Sequence, residues 1–239
     1  FNTPSTLKDT YDVVIIGAGG HGLACAHYLA QDHGITNVAV LDASYLGGGN
    51  TGRNTTIIRS NYLTPEGVRF YDASIQLFKE LSLDLETNIF YSERGHYTLA
   101  HSSATLRTAR WRAEVNKHLG IKSEVVGTDE ISRGCPELRI DCGGSHAIEG
   151  ALFHAPGAVA RHDAVAWGYA KSASARGIEI HQHTPVIGLE KDSEGVSAVI
   201  TNKGIIKTRN VLSAVAGHTP TVTGTVSYTH LTLPTKWIV

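Results

Sequence analysis

The chain has 239 residues, of which 41% are hydrophobic, enough to form a substantial core in one or two domains. Its 21 basic and 22 acidic side chains give a formal net charge of -1, so nothing favours nucleic acid or a charged membrane surface as a partner. No apolar run approaches a membrane span, so we expect small-molecule chemistry in the cytoplasm, where the three cysteines would stay reduced.

The first part of the chain has the clearest local pattern. The stretch "YDVVIIGAGGHGLACAHYLAQDHGITNVAVLDA" predicts a buried strand over 12–16, a glycine turn, a helix ending near His33 at Gly34, and a strand over 37–41. Strand, helix and strand within about thirty residues form a βαβ unit. The pattern therefore predicts an α/β fold with a parallel sheet.

The glycine turn has the spacing of a dinucleotide-binding site. The sequence G-x-G-x-x-G directly follows a strand and opens a helix, whose positive end can face a pyrophosphate. Asp42 ends the second strand, where a carboxylate can accept hydrogen bonds from ribose hydroxyls and disfavours a 2′-phosphate. FAD or NAD is thus favoured over NADP, and this pattern alone does not separate the two. The predicted contacts are Gly17, Ala18, Gly19, Gly20, His21, Gly22 and Asp42.

A polar, glycine-rich loop follows the second strand, in "SYLGGGNTGRNTTIIRSNYL". Its glycines allow close backbone approach, and its amide, hydroxyl and guanidinium groups can bind pyrophosphate, ribityl or flavin-ring oxygens. A nicotinamide cofactor seldom needs a second such loop, so the loop favours FAD, although an ordinary solvated loop has a similar composition. The predicted contacts here are Asn50, Thr51, Arg53, Asn54, Thr55 and Ile58.

The middle of the chain alternates helical and extended patterns. Thr64 and Pro65 are typical of a helix start, and the apolar residues that follow recur at threes and fours. Next come a predicted strand over 90–101, a helix ending at Gly120, a short strand over 122–126, and mostly turns from 128 to 153. Three extended runs follow Gly177, with a tight turn at 202–204.

His162 lies at the start of a helix predicted over 163–176, in "APGAVARHDAVAWGYAK". The positive end of a helix favours the neutral, nucleophilic form of imidazole, whereas the adjacent Asp163 has the opposite effect. These residues leave open whether His162 reacts or only lies at a helix end. His181 and His183 share a predicted strand face without a third ligand, so we interpret them as surface residues and expect no metal site.

Three segments together resemble a known family. The βαβ stretch, "GGGNTGRNTTIIRSNYL" and "GAVARHDAVAWGYA", in this order and spacing, are similar to beta subunits of heterotetrameric sarcosine oxidase, within the FAD-dependent amine and D-amino-acid oxidases. The resemblance covers roughly residues 10–220. It implies a Rossmann-like FAD-binding domain split in sequence, formed by 1–80 and 155–225, and part of a β-rich substrate domain formed by 81–154.

The resemblance also implies a chemistry. FAD would bind non-covalently to the βαβ unit and to the backbone of Val186, and FMN would be joined covalently through its 8α carbon to His162. The implied reaction is oxidative demethylation of sarcosine to glycine, formaldehyde and hydrogen peroxide. The implied partners are alpha, gamma and delta subunits, with tetrahydrofolate on a partner subunit.

Two further features concern the ends of the chain. The chain contains no methionine and its last segment, "VSYTHLTLPTKWIV", resembles translated adapter sequence, so we predict an absent native start and a non-native tail over 226–239. The family's later segment, which carries much of the substrate pocket, has no match, so the sequence indicates no catalytic residue.

Two alternatives to the implied function stay open. One is a single-flavin FAD enzyme acting on another N-methyl or D-amino acid, without flavin on His162. The other is an inactive flavin-binding fragment.

Overall fold

The computed structural model describes residues 1, 3–144 and 147–225, so the predicted non-native tail over 226–239 lies outside the described residues. The α/β class is confirmed, because parallel strands alternate with helices along the chain. The chain forms two compact units, one from residues 1–54 with the described residues from 162 onward, and the other from 55–161. The first unit is therefore discontinuous in sequence.

A four-stranded parallel sheet forms the centre of the first unit. Its order is β13 (Val211–Ser213), β1 (Val13–Ile16), β2 (Val38–Leu41) and β9 (Glu179–His181). The two inner strands are apolar throughout because both faces of the sheet are covered, as is usual in parallel sheets. The strands predicted over 12–16 and 37–41 are confirmed to within one residue.

Two helices cover one face of this sheet. Helix α1 (Gly20–His33) ends as predicted at Gly34, whose φ of 66° suits glycine. Helix α5 (His162–Ala175) follows the predicted 163–176 closely. The two helices pack on the sheet and on each other mainly through small residues, which allow close approach. The buried small residues of this cluster are Ala26, Ala30, Ala166, Ala170 and Ala173.

Polar contacts fix how α1 and α5 run relative to each other. His27 Nδ1 lies 3.0 Å from Ser172 Oγ, and Arg176 Nη2, just beyond α5, donates to Gln31 Oε1 at 2.8 Å. The residues of each pair are 145 positions apart in sequence. The later residue of α1 therefore contacts the later residue of the α5 segment. The helices are therefore parallel, and their N termini lie at the same end of the pair.

An antiparallel sheet covers the other face of the parallel sheet. Its order is β10 (Val186–Asp192), β11 (Gly195–Thr201) and β12 (Gly204–Lys207), which matches the predicted extended runs. Val199 and Ile206 are fully buried against the central strands. Helix α6 (Thr219–Gly224) closes the described part of this unit.

The described residues of the second unit form two three-stranded sheets and three α-helices. Helix α2 (Pro65–Asp84) begins as predicted, with Thr64 Oγ1 accepting from the Gly67 amide at 3.2 Å. No helix among the described residues is long and apolar enough to cross a membrane. The remaining elements are α3 (Ser103–His118), α4 (Thr128–Gly134), β3 (Ile57–Ile58), β4 (Ser92–Glu93), β5 (His96–Ala100), β6 (Ser123–Val126), β7 (Gly150–His154) and β8 (Ala158–Val159).

The prediction of mostly turns from 128 to 153 is wrong for two elements. Helix α4 is a short helix stabilised by Glu130, whose carboxylate accepts from the Gly127 amide at 2.9 Å. Strand β7 lies between β5 and β6 in an antiparallel sheet. Its short sequence begins with glycine and shows no alternation of apolar and polar residues. The strand is stabilised by pairing with β5 and β6, which a local pattern does not reveal.

The boundary between the units lies elsewhere than the sequence indicates. Strand β8 pairs with both β3 and β4, which places residues 57–58, 92–93 and 158–159 in one small sheet. Residues 55–80 and 155–161 therefore belong to the second unit rather than to the first. The assignment of the units to cofactor and substrate remains a prediction.

A buried charged cluster corrects one further expectation. His183 is exposed, but His181 is only 2% exposed, and the prediction of a surface residue is wrong for it. Its Nε2 lies 3.1 Å from Glu179 Oε2, which also accepts from the Tyr11 hydroxyl at 2.5 Å, while Lys8 Nζ lies 2.7 Å from Oε1. Burial opposes ionisation of Glu179, yet these bonds outweigh it and lower the pKa of that carboxyl.

We expect Glu179→Gln to lower the free energy of unfolding by about 1–3 kcal/mol at neutral pH, because buried donors lose a charged acceptor. Glu194→Gln is the matched control, because Glu194 also pairs with a basic side chain, Arg209, but is 79% exposed. Its cost should stay within about 0.5 kcal/mol. Urea denaturation measures both, and equal losses in the two variants would contradict a stabilising role for the cluster.

Candidate functional site

The glycine turn lies between β1 and α1 at the carboxyl edge of the parallel sheet. Gly17 has a φ of 111°, and its amide donates to Leu41 O at 2.7 Å. A Cβ atom on Gly17 would lie 2.6 Å from Ala214 O, and one on Gly22 would lie 2.0 Å from Gly17 O. Only glycine fits at either position, which keeps the turn tight and the helix close to the strand.

The N terminus of α1 is open to an anionic group. Gly19 precedes the helix without a capping side chain, and the first turn, which includes the exposed His21, has no acidic residue. The Gly20 amide donates to Thr51 Oγ1 at 2.9 Å. The positive end of the helix dipole is therefore not neutralised by a carboxylate in its own first turn.

Asp42 lies directly after β2 and contacts the same turn. Its Oδ2 accepts from the Ala18 amide at 2.7 Å, and its Oδ1 accepts from the Ser44 amide at 2.8 Å. The side chain is partly exposed, and an ionised carboxylate has about four acceptor positions, so it can still accept from hydroxyl groups. The acid that follows β2 and the glycine turn are therefore in direct contact.

Residues 46–53, here named the linking loop, contact both the glycine turn and helix α5. The Gly47 amide donates to Ala18 O at 2.9 Å, and Thr51 contacts the start of α1 as described above. A Cβ added at Gly47 would meet the Ala166 side chain at 3.6 Å, an ordinary contact distance, so the loop passes directly over α5. Of the other predicted residues nearby, Asn50, Arg53 and Asn54 are exposed.

A cavity of about 410 Å³ lies beside His162. This volume is within the range of small-molecule sites. His162 is the first residue of α5, and its Nδ1 is buried without a hydrogen-bond partner among the described residues. Trp167 and Tyr45, both more than half exposed, provide aromatic surface at the cavity. The other lining residues that concern the site are Gly47, Thr51, Arg53 and Gln182.

Three further residues were predicted as flavin contacts. Val186 starts β10 in the first unit, whereas Thr55 and Ile58 belong to the second unit, and their roles stay predictions. No group of His, Cys, Asp and Glu side chains in the described ranges could hold a metal ion.

Sequence reasoning missed several cavity residues. Trp167 lies five residues after His162 in the same helix, so helical periodicity does not place the two side chains on one face. Gln182 accepts from the Leu46 amide at 2.8 Å across 136 residues of sequence. No local pattern indicates such a contact.

The βαβ unit, its glycine turn and the acid after the second strand define a dinucleotide-binding protein with a Rossmann-like first unit. A family model described as FAD dependent oxidoreductase matches residues 12–236. The chain belongs to this family.

Individual relatives narrow the comparison. The chain is 43% identical over 211 residues to the sarcosine oxidase subunit beta of Arthrobacter sp, covering 88% of this chain and 52% of the relative. It is 41% identical to the sarcosine oxidase subunit beta of Rhodobacter capsulatus, covering 92% and 53%. The resemblance to sarcosine oxidase beta subunits is therefore confirmed, and the chain spans about half the length of these relatives.

A solved structure supports the fold. L-proline dehydrogenase from P. horikoshii superposes with a TM-score of 0.84 at 24% identity, covering 94% of this chain and 58% of that protein. At this identity the likeness concerns the fold alone.

We expect Gly22→Ala to destabilise the first unit by about 1–3 kcal/mol or more, because the added Cβ would collide with the Gly17 carbonyl. Gly49→Ala is the matched control, since no atom lies within 4 Å of a Cβ there. Its effect should stay within about 0.5 kcal/mol. Thermal unfolding distinguishes the two, and a harmless Gly22→Ala would show that the turn is looser than described.

Proposed function

We propose that the chain is the flavin-binding beta subunit of an oxidase that converts sarcosine to glycine, formaldehyde and hydrogen peroxide, together with alpha, gamma and delta subunits. The 41–43% identity to sarcosine oxidase beta subunits supports the reaction and a multi-subunit enzyme. The observation that carries the proposal is the position of His162, which lies at a cavity whose wall, the linking loop, also contacts the glycine turn.

The glycine turn fits the pyrophosphate of FAD. Glycine at positions 17 and 22 keeps the turn tight and the helix close to the strand, and the start of α1 has no acidic residue in its first turn to compete with an anion. Asp42 would accept hydrogen bonds from the adenosine ribose. FAD bound in this way supplies the acceptor for the hydride that leaves the substrate amine.

His162 fits the role of a covalent anchor for FMN. Helix α5 holds the imidazole at its first turn, and no hydrogen bond within the described residues occupies Nδ1, so the ring is not held in one tautomer by a partner on that side. Joining a ring nitrogen to the 8α carbon removes one hydrogen from each. The flavin ring system would take up the two electrons released, and dioxygen would be their final acceptor.

The proposal also includes a location and a fate for the product. The three cysteines, Cys25, Cys135 and Cys142, are all free thiols, which supports a reducing compartment such as the cytoplasm. Formaldehyde would pass to tetrahydrofolate on a partner subunit.

The tryptic peptide His162–Lys171, "HDAVAWGYAK", should carry the added mass of one FMN in the full-length chain co-expressed with its partner subunits. His162→Ala should abolish this mass increase while FAD remains bound, because only the imidazole forms the bond. His183→Ala, which changes another histidine of the first unit that is exposed, is the control and should retain the flavin. Mass spectrometry provides the readout, and a bare wild-type peptide would refute the covalent anchor.

The same full-length complex should release hydrogen peroxide when sarcosine is added, with formaldehyde in equal amount. Peroxide is measured by a coupled peroxidase assay and formaldehyde by a colorimetric assay. Faster turnover of a different N-methyl or D-amino acid would point to a single-flavin relative with another substrate. Absence of turnover in a flavin-loaded complex would contradict the proposed activity.

A further inference from the structure

The linking loop forms a wall of two sites. Residues 46–53 contact the glycine turn on one side and line the cavity beside His162 on the other. We propose that the hydroxyl of Thr51 couples occupancy of the dinucleotide site to occupancy of the His162 cavity. This inference rests on the proposed function, in which both sites hold a flavin.

The two sites lie at the same end of one rigid pair of helices. Helices α1 and α5 run parallel, as the pairs His27–Ser172 and Gln31–Arg176 show. The glycine turn precedes α1, and His162 begins α5. Small buried residues pack the two helices closely, so the helices themselves can shift little. A change at one N terminus can instead reach the other through the linking loop, which contacts both helices.

Thr51 is the point of the linking loop that contacts the start of α1 through a side chain. Its Oγ1 accepts from the Gly20 amide at 2.9 Å and lies 3.1 Å from the position of a Cβ on Gly19. The Thr51 carbonyl accepts from Asn54 Nδ2 at 2.5 Å, which closes the turn that follows. Movement of Thr51 would therefore move the short helix over Asn50–Arg53 with it.

The chemistry of a hydroxyl explains how binding at α1 would restrain this loop. A threonine hydroxyl can accept and donate at the same time, and the Gly20 amide uses one of the two acceptor positions of Thr51. A phosphate oxygen at the start of α1 would accept the remaining proton, which gives a continuous chain from amide to hydroxyl to phosphate. The dinucleotide would then hold Thr51, and with it the cavity wall, in place.

Coupling of this kind is reciprocal. If FAD orders the wall of the His162 cavity, a flavin in that cavity orders the loop for FAD by the same factor. A covalent flavin on His162 should therefore tighten FAD binding. The Thr51 hydroxyl carries the effect, whereas the methyl group of Thr51 does not.

The test is a double-mutant cycle on the full-length chain in complex with its partner subunits. FAD is removed and titrated back, and its Kd is measured by flavin fluorescence in protein with flavinylated His162 and in His162→Ala, which has no covalent flavin. The ratio of the two Kd values is the coupling. It is then measured again in Thr51→Val, which keeps the shape but removes the hydroxyl, and in Thr51→Ser, which keeps the hydroxyl.

We expect His162→Ala to weaken FAD binding by about fivefold or more, within the usual range of coupling. In Thr51→Val the ratio should fall to about one, and in Thr51→Ser it should match the wild type. A ratio near one in the wild type, or an unchanged ratio in Thr51→Val, would overturn the coupling while the covalent flavin on wild-type His162 still supports the proposed function. A wild-type His162 without flavin would instead refute the proposed function, and the coupling with it.

Discussion

The parallel packing of α1 against α5 is the constraint on which the first unit depends. Both helices lie on the same face of the central sheet and approach closely through alanines such as Ala26 and Ala170. His27, Ser172, Gln31 and Arg176 fix their direction. As a result, the glycine turn and His162 lie side by side at the carboxyl edge of the strands, where open α/β sheets bind ligands.

The two helix N termini at this edge differ in charge. The first turn of α1 has no acidic residue, so its positive end remains available for a phosphate group. The first turn of α5 contains Asp163 next to His162, which offsets much of the same effect. This difference is consistent with a pyrophosphate at α1 and with a covalently held ring system at α5, where a histidine rather than a helix dipole would provide the attachment.

The sequence predicted features that depend on neighbouring residues better than features that depend on contacts between distant residues. The glycine turn, the cap of α2 at Thr64 and the end of α1 at Gly34 each depend on residues within one turn of the chain, and the structure has each at its predicted place. Strand β3 pairs with β8, which lies more than ninety residues further along the chain. The burial of His181 likewise depends on a cluster whose members are more than ninety residues apart. Strand β7 pairs with strands that have little pattern of their own. The proximity of Asp42 to the turn was predictable from the βαβ unit, whereas the lining of the His162 cavity by Gln182 was not.

In the proposed function, one chain holds two flavins by different means, one at a glycine turn and one at a histidine. Acid precipitation of the full-length holoprotein, with quantification of flavin in the supernatant and in the pellet, tests it most directly. We expect one FAD per chain in the supernatant and one flavin per chain retained in the pellet. Release of all flavin into the supernatant would contradict it.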